Sequence, residues 1–382
     1  MHESSKDCMK VAYVVSRSDT LGGSLIHVRD CYLAFKEKGH EAVIIVGGEG
    51  PFTKHLQDRG IKYISIKNLS KSLYPTDDIK AYKELKIVLA DYGPDIISAH
   101  SAKARFLCSF IAKKLNIPLL CTAHGWSFSD GRPYLSQKLA TLLENIAAKK
   151  SNKIITVSDY DKKIALQKLS VDENKMTTIH NGMPDIPENF RADPSASGPV
   201  NITMIARMDD QKDHATLIKA LSDLEGYHLN LVGDGPFTDR TKKLAKQAKI
   251  YSNITFWGRL DSVDKILSES QLFALISNWE GFPRSTIEAM RAGLPVIVSD
   301  VGGAAEAVQE GVNGYSVKRG DVQDLSQKLS KLIKNAEMRV EMGKNSRKYY
   351  EKELRFDIMF EKTFNLYKDC INEKNSKNEM NS

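Results

Sequence analysis

Cysteine is scarce and irregularly placed in this sequence of 382 residues. The five cysteines are odd in number and show no C-x-x-C spacing: Cys8, Cys31, Cys108, Cys121 and Cys370. This pattern argues against a disulfide framework and against a cysteine zinc site, and it is typical of reduced thiols in a cytoplasmic protein. Long apolar runs are also lacking, so we expect no transmembrane helix. The polar start, MHESSKDCMK, is unlike a signal peptide.

The composition is otherwise that of an ordinary globular protein, with 41% apolar and 27% charged residues. A chain of this length exceeds what one core usually serves, so we expect two domains of comparable size. The net charge is +7, and residues 1–190 hold 27 Lys and Arg against 21 Asp and Glu. Two interpretations of this basic half remain open: a solvated face, or attraction to anionic lipid or lipid-linked phosphate. Nucleic acid is less favoured, because aromatic residues do not interleave with the basic ones.

Short apolar runs alternate with helical patterns along the whole chain, beginning with the predicted strands 10–16, 41–46 and 62–66. This rhythm predicts βαβ units and parallel sheets. Residues 183–199 (MPDIPENFRADPSASGP) interrupt it with a stretch rich in Pro, Ser and Asp, which predicts a domain linker. The sequence therefore predicts an N-terminal domain over 1–188 and a C-terminal domain over 198–350. We expect the polar tail after residue 371 to be frayed.

Candidate ligand residues of the first half follow predicted strands, where α/β sheets bind their ligands. Gly22 and Gly23 open a helix and would let backbone amides approach a ligand, although a plain strand-to-helix turn is the favoured interpretation when they are taken alone. His124 follows strand 118–123, and for this lone histidine a structural role and a functional role remain open. Asp159 and Asp161 spell a D-x-D sequence but begin a helix, where capping is the favoured interpretation.

The second half carries stronger signals at its strand ends. Arg207 and Lys212 lie five apart in a strand-to-helix turn and could clamp a diphosphate, although a solvated turn is an equal alternative. Gly233 begins a second glycine turn after strand 228–232. Glu280 lies in the turn after strand 272–277, and Glu288 lies on the helix that begins near residue 283. Two carboxylates beside a helix N-terminus suited to anions indicate a ligand site.

Taken together, these motifs resemble the retaining glycosyltransferases of the GT-B fold, in particular family 4 (glycosyl transferases group 1). The resemblance is carried by ARMDDQKD, LVGDGP, FWGRL, EGFPRSTIEAMRAGLPVIVSDVGGAAEAV and NGYSV, in that order. Glu280 and Glu288 match the two glutamates of the family's E-x7-E motif. The segments GGSLIHV, HGW and IHNGM of the first half also fit. Two departures, Arg284 and Asp213, stand where the family commonly has a small or apolar residue and a glycine.

The resemblance implies an α/β architecture of two Rossmann-like domains facing across a cleft, with a last helix (about 355–375) that returns to the N-terminal domain. It implies that Glu288 binds the ribose, that Arg207 and Lys212 neutralise the diphosphate, and that Gly23 offers backbone to it. Glu280 and His124 would contact the donor sugar. The other positions implied to bind the donor are Gly22, Asn181, Gly233, Arg259, Leu260, Phe282, Pro283 and Thr286.

The activity implied is transfer of a sugar, with retention, from a UDP- or GDP-sugar to a saccharide or lipid-linked acceptor in cell-surface polysaccharide or glycolipid synthesis. The resemblance implies no metal ion and no cofactor, with the cations at residues 207 and 212 acting on the leaving diphosphate. We expect the acceptor near the loops after Ser16, His124 and Asp130, and a cytoplasmic location, on the membrane's inner face if the basic half binds lipid. Two alternatives remain: a sugar-nucleotide 2-epimerase, and a sugar-nucleotide-binding protein that has lost catalysis.

Overall fold

A computed structural model describes residues 8–70, 74–128 and 134–380, which form two compact units. Unit 1 comprises the chain up to Ile179 and from Phe360 onward, and unit 2 comprises His180–Met359. Residues 180–188, which the sequence analysis placed in the first domain, therefore lie in unit 2. The reason is local: Asp185 pairs with Arg347 at 2.6 Å, and Arg291 donates a hydrogen bond to the Pro184 carbonyl at 2.9 Å.

Unit 1 is built on a seven-stranded parallel sheet in the order β3-β2-β1-β4-β5-β6-β7. Its strands are β1 (Lys10–Val15), β2 (Glu41–Gly47), β3 (Tyr63–Ile66), β4 (Ile96–Ala99), β5 (Leu119–Ala123), β6 (Lys153–Thr156) and β7 (Met176–Thr178). The central strands are continuous apolar runs, because helices cover both faces of a doubly wound sheet. In β1, for example, every residue from Val11 to Val15 is buried.

Six helices connect the strands of unit 1: α1 (Gly23–Glu37), α2 (Pro51–Gln57), α3 (Pro75–Tyr92), α4 (Ala102–Leu115), α5 (Tyr134–Lys150) and α6 (Asp159–Lys168). The start of α6 settles the D-x-D question. Ser158 is the N-cap, its hydroxyl accepts a hydrogen bond from the Asp161 amide at 3.0 Å, and it donates to the Asp161 carboxylate at 2.9 Å. Asp161 is 2% exposed, so the capping interpretation is confirmed.

Unit 2 is built on a six-stranded parallel sheet in the order β10-β9-β8-β11-β12-β13. Its strands are β8 (Val200–Ile205), β9 (Tyr227–Val232), β10 (Ile254–Gly258), β11 (Leu272–Leu275), β12 (Val296–Ser299) and β13 (Gly314–Val317). The strand order runs outward in both directions from the β8/β11 pair. That pair is the topological switch point, where doubly wound sheets open a crevice at the carboxyl ends of the strands.

The helices of unit 2 are α7 (His214–Leu221), α8 (Thr238–Gln247), α9 (Asp264–Ser268), α10 (Arg284–Ala292), α11 (Val322–Lys334) and α12 (Ala336–Tyr349). The helix starts follow ordinary capping chemistry: Asp213 accepts a hydrogen bond from the Thr216 amide at 3.0 Å, and Asp321 accepts one from Asp324 at 2.9 Å. After Gly303 the chain forms a short 3-10 turn, Ala304–Ala307.

The last helix, α13 (Phe356–Met380), begins in unit 2 and continues in unit 1. The expectation of a frayed tail was wrong over 372–380, which remain helical. Two contacts of α13 with unit 1 explain this: Tyr367 and Cys370 are fully buried, and Glu373 pairs with Lys153 at 3.3 Å. Both units are thus parallel α/β domains, as predicted. Within the described residues, no helix is both long enough and apolar enough to cross a membrane.

Candidate functional site

Lys212 and Glu280 meet at the switch point of unit 2. Lys212 follows β8 and Glu280 follows β11, the two adjacent strands from which the sheet order diverges. A backbone bridge between Lys212 and Ser277 joins the two turns. The Lys212 ammonium forms an ion pair with the Glu280 carboxylate, and their side chains are only 12% and 6% exposed. The structure therefore brings together two residues that stand 68 positions apart in the sequence.

The Glu280 carboxylate is held by three donors. Besides Lys212, the Ser277 hydroxyl donates to its Oε1 at 2.7 Å, and the Gln211 amide donates to its Oε2 at 3.1 Å. Gln211 also donates to the Trp279 carbonyl at 3.0 Å. A carboxylate that accepts several hydrogen bonds is fixed in position. The Glu280 carboxylate in turn orients the Lys212 ammonium before any ligand binds.

Two further turns, after β9 and β10, converge with the turn after β8 at the carboxyl edge of the same sheet. The Gly233 amide, after β9, donates to the Gly258 carbonyl, at the end of β10, at 2.7 Å. Gly233 has φ +127°, and a Cβ there would lie 2.1 Å from the Ala206 carbonyl oxygen, after β8. Only glycine permits this approach. Arg207 lies at the same edge, but its side chain is 65% exposed and pairs with Asp209 at 3.3 Å.

Arg259 and Leu260 follow β10, on the outer side of this edge. Arg259 is exposed and Leu260 is half-buried. The structure therefore leaves the Arg259 guanidinium in solvent, at the carboxyl end of the edge strand β10, three positions along the sheet from β11. No described contact joins either residue to the Lys212–Glu280 pair.

The N-terminal end of α10 carries four of the predicted site residues. Pro283 is the N-cap residue, and Phe282 and Thr286 are buried. The Thr286 hydroxyl is buried and has no hydrogen-bond partner among the described residues. Burial raises the pKa of the half-buried Glu288, although the nearby Arg284 and Arg291 oppose the rise.

Asn181 is buried beneath the turn that precedes α10 and does not line its surface. It is 5% exposed, and its side-chain amide donates to the Phe282 carbonyl at 2.8 Å. The neighbouring His180 stacks on the Phe282 ring with centroids 4.4 Å apart, and it pairs with Glu306 at 2.8 Å. The family resemblance implied Asn181 as a donor-binding residue, but the sequence gave no sign of this supporting contact.

Gly302 is a residue of this site that the sequence analysis did not select. It follows β12, has φ +57°, and a Cβ there would lie 1.9 Å from the Glu280 carbonyl oxygen. The backbone of Glu280 therefore rests directly on Gly302. The sequence signal was the Gly302-Gly303 pair after a buried strand. Such a pair indicates a place where another part of the backbone comes too close for a side chain.

We expect Gly302→Ala to displace the Glu280 turn. The overlap should cost about 1–3 kcal/mol, and the left-handed backbone about 1–2 kcal/mol more. Gly320→Ala is the matched control, because Gly320 has φ +75° and open space around its Cα. Urea unfolding should show a loss for Gly302→Ala that exceeds the loss for Gly320→Ala, and only the former should lower turnover. Equal losses for the two variants would contradict the contact.

In unit 1, three histidines gather at the carboxyl ends of the central strands. His100 follows β4, His124 follows β5, and His27 lies on α1, the helix that Gly22 caps and Gly23 begins. His100 Nδ1 and His124 Nε2 are 3.1 Å apart, and the His27 and His124 rings are 4.8 Å apart at 73°. One nitrogen of each ring lies within 4.8 Å of the others, a spacing at which three imidazoles could share a metal ion.

The loop that carries His124 rests on a buried ion pair that the sequence analysis missed. Arg105 on α4 donates to Glu144 on α5 at 3.1 and 2.5 Å, and both side chains are at most 3% exposed. Arg105 also donates to the Thr122 carbonyl at 3.0 Å and lies over the Trp126 ring. Glu144 accepts a hydrogen bond from Ser127 at 2.8 Å.

The Asp130 loop, expected near the acceptor, lies outside the described residues.

Two family models match successive parts of this chain. A model described as Glycosyltransferase Family 4 matches residues 21–185, and one described as Glycosyl transferases group 1 matches residues 185–349. The first covers most of unit 1 and the second covers the Lys212–Glu280 site. Together they span the residues on which the functional prediction rests.

Individual relatives are distant but match over nearly the whole length. N-acetyl-alpha-D-glucosaminyl L-malate synthase of Bacillus anthracis is 23% identical over 97% of this chain and 100% of its own. A UDP-Gal:alpha-D-GlcNAc-diphosphoundecaprenol alpha-1,3-galactosyltransferase of Escherichia coli is 25% identical over 86% of this chain and 89% of its own. Among solved structures, HepE of Anabaena in complex with UDP and glucose superimposes with a TM-score of 0.82 and 19% identity, over 94% of this chain and 100% of that one.

Proposed function

This chain belongs to the glycosyltransferases of the GT-B fold, and we propose that it transfers a sugar from a UDP- or GDP-sugar with retention at the anomeric carbon. The observation that carries the proposal is the Lys212–Glu280 pair at the switch point of unit 2. Lys212 supplies positive charge to the leaving diphosphate, Arg207 supplies more from the same turn, and Glu280 contacts the sugar. Charge on the diphosphate grows as the glycosidic bond breaks, so such cations bind the transition state more tightly than the substrate.

The remaining donor contacts follow from the same edge of the sheet. Glu288 accepts hydrogen bonds from the ribose hydroxyls, and the turn at Arg259 and Leu260 borders the base. No metal ion acts on the diphosphate, because lysine and arginine supply the charge and Asp161 of the D-x-D sequence is bound to the cap residue Ser158. Chelation with EDTA should therefore leave turnover unchanged.

We propose a saccharide or lipid-linked saccharide as the acceptor, in the synthesis of a cell-surface polysaccharide or glycolipid. Two similar proteins support this acceptor: one acts on a diphosphoundecaprenol-linked sugar, and another is an O-antigen biosynthesis glycosyltransferase. Retention is supported by the alpha-linked products named for two relatives, since retention from an alpha-configured donor gives alpha linkages.

A screen of UDP-, GDP- and ADP-sugars for protection against thermal unfolding tests the donor. A ligand at about 100 times its dissociation constant adds about 2.7 kcal/mol to the stability of the folded state. Protection by a sugar nucleotide, followed by transfer to a saccharide acceptor and an unchanged anomeric configuration by NMR, would support the proposal. Release of a free epimerised sugar without acceptor would indicate a 2-epimerase. Protection without transfer or hydrolysis would indicate a binding protein.

We further propose that α5 binds an anionic membrane surface. Its apolar side chains Leu135, Leu139 and Leu142 recur on one helical face and are 80%, 49% and 56% exposed. Four lysines line an open cavity of about 400 Å³ in unit 1, at the amino ends of β5 and β6: Lys113, Lys149, Lys150 and Lys374. No described carboxylate forms an ion pair with any of the four. Exposed leucines together with unpaired lysines are the features of a helix that lies on anionic lipid.

Lys149→Ala/Lys150→Ala should weaken binding to vesicles that contain phosphatidylglycerol by about 30-fold, since each lysine near such a surface contributes about 1 kcal/mol. The matched control is Lys243→Ala/Lys246→Ala, which removes the same charge from exposed positions of α8 in unit 2. Co-sedimentation at low and high salt measures the effect. Binding that is indifferent to salt and to phosphatidylglycerol would leave the basic half as a solvated face.

A further inference from the structure

A chain of hydrogen bonds runs through the core of unit 1 to His124. The Tyr367 hydroxyl on α13 donates to the Ser98 hydroxyl on β4 at 3.0 Å. Ser98 Oγ lies 2.9 Å from His100 Nε2, and His100 Nδ1 lies 3.1 Å from His124 Nε2. Tyr367, Ser98 and His100 are at most 4% exposed, whereas His124 is partly exposed. The chain therefore leads from fully buried hydroxyls to the one histidine at the edge.

The donor at each link fixes the donor at the next. Ser98 accepts the hydrogen of Tyr367, which leaves its own hydrogen available for donation to His100 Nε2. A neutral His100 that accepts at Nε2 carries its hydrogen on Nδ1, and this hydrogen is donated to His124 Nε2. His124 then accepts at Nε2 and carries its own hydrogen on Nδ1. The order of donors thus sets the tautomer of His124 through the three linked side chains of Tyr367, Ser98 and His100.

The start of the chain agrees with this direction, and the Tyr13 and Tyr367 hydroxyls also share a hydrogen bond. Tyr13 packs edge-on against Tyr367, with ring centroids 6.4 Å apart, and donates its hydrogen to the Cys31 carbonyl at 3.3 Å. With Tyr367 donating to Ser98, every hydrogen in the set has an acceptor. The reverse direction would require Tyr367 to turn its hydrogen away from Ser98 and towards Tyr13.

The charge state of His100 agrees with this direction. Burial lowers the pKa of His100 well below its usual value, and the nearby His124 and Arg105 lower it further. A neutral His100 has one ring hydrogen, so it can donate at Nδ1 only while it accepts at Nε2. Protonation of His100 would remove that dependence, since both nitrogens would then donate.

We propose that Tyr367, Ser98 and His100 are positioning residues that hold His124 as the neutral tautomer with its hydrogen on Nδ1. On the proposed function, in which His124 contacts the transferred sugar, this makes the histidine a hydrogen-bond donor to a sugar oxygen. It also excludes His124 Nδ1 as the base that deprotonates the acceptor hydroxyl, because that nitrogen has no lone pair to offer. His124 therefore orients and stabilises the donor sugar.

Nitrogen-15 NMR of the full-length protein labelled at histidine measures the tautomer without any substrate. The wild type should show His124 with its hydrogen on Nδ1, and Ser98→Ala should shift the signals towards a mixture, because His100 loses the donor that fixes it. Ser109→Ala is the matched control: Ser109 is also fully buried, but its hydroxyl donates to the Phe106 carbonyl and to no histidine among the described residues. A wild-type His124 with its hydrogen on Nε2, or a Ser98→Ala spectrum identical to wild type, would overturn the proposal.

Substitution of His100 separates positioning from packing. His100→Asn keeps an amide N–H near the place of Nδ1, whereas His100→Leu keeps volume and removes the donor. We expect His100→Leu to lower kcat about tenfold, the effect of one lost hydrogen bond, and His100→Asn to restore most of it. Equal losses in the two variants would overturn the proposal. If no sugar transfer is found at all, the proposed function fails, but the NMR result still decides the tautomer.

Discussion

Lys212→Ala is expected to lower kcat/KM by about 10²–10³-fold, the usual loss when one charged or polar stabiliser of a transition state is removed. The loss should fall mainly on kcat, because the ammonium meets more negative charge on the departing diphosphate than on the intact donor. Steady-state kinetics with the donor that protects the protein against unfolding measures the effect. The fold should survive, since Gln211 and Ser277 still donate to Glu280.

Two further variants show whether Lys212 and Glu280 act as one unit. Glu280→Gln keeps the shape and the acceptor oxygen of the side chain but removes the charge that orients Lys212. If the pair works together, the double variant Lys212→Ala/Glu280→Gln should lose much less than the product of the single losses. Fully multiplicative losses would mean that the two residues act separately.

The control for Lys212→Ala is Lys219→Ala, which removes the same side chain from an exposed position on α7. It should leave kcat/KM within about twofold, as expected for a surface charge that touches no ligand. Normal turnover in Lys212→Ala would show that this lysine does not act on the diphosphate. The positive charge on the diphosphate would then have to come from Arg207 alone.

The elements and the sheet edge could be predicted because each depends on local sequence. A buried apolar run of four to six residues followed by Gly, Asp or Ser predicts a strand end, and every strand end of a parallel sheet faces the same edge. Lys212 and Glu280 were placed at that edge by this rule alone. Their pairing then followed from the strand order, which puts β8 beside β11 although α7, β9, α8, β10 and α9 separate them in the chain.

The residues that were missed depend on partners far away in the sequence. Gly302 matters because the Glu280 carbonyl approaches it, and Ser98 matters because Tyr367 reaches it across 269 positions. Arg105 and Glu144 lie on amphipathic helices, where a charged residue is normally exposed. Nothing local distinguishes a buried charge from a solvated one until its partner is known. The tail was misjudged for the same reason: its polar composition indicated fraying, but Cys370 and Glu373 attach it to unit 1.

Glu144→Ala is expected to destabilise unit 1 by about 3–5 kcal/mol, because it leaves the Arg105 guanidinium buried without its counter-charge. Burial disfavours the charged form of Arg105, and Glu144 outweighs that effect, so the pKa of Arg105 is raised in the native protein. A loss of this size is a large share of the roughly 5–15 kcal/mol by which a domain is stable. Urea unfolding, followed by hydrogen exchange of peptides from β5 and β6, measures the loss and assigns it to unit 1.

An apolar replacement of the pair separates loss of the ion pair from loss of packing. Arg105→Met/Glu144→Leu fills the same space without an unpaired charge, so it should recover at least half of the stability lost in Glu144→Ala. Glu188→Ala is the matched control: it breaks an ion pair with Arg191 whose side chains are 85% and 39% exposed, and it should cost no more than about 1 kcal/mol. If Glu144→Ala costs as little as Glu188→Ala, water must reach Arg105.

The same pair links stability to the position of His124. Arg105 donates to the Thr122 carbonyl and lies over Trp126, and Glu144 accepts from Ser127, so three contacts of one ion pair surround the segment that carries the histidine. The apolar double variant should therefore regain stability but not full activity, because the contacts to Thr122 and Ser127 remain lost. Recovery of both stability and turnover would show that the ion pair serves the fold alone. Recovery of stability without turnover would show that a buried charge pair is retained here to position a loop.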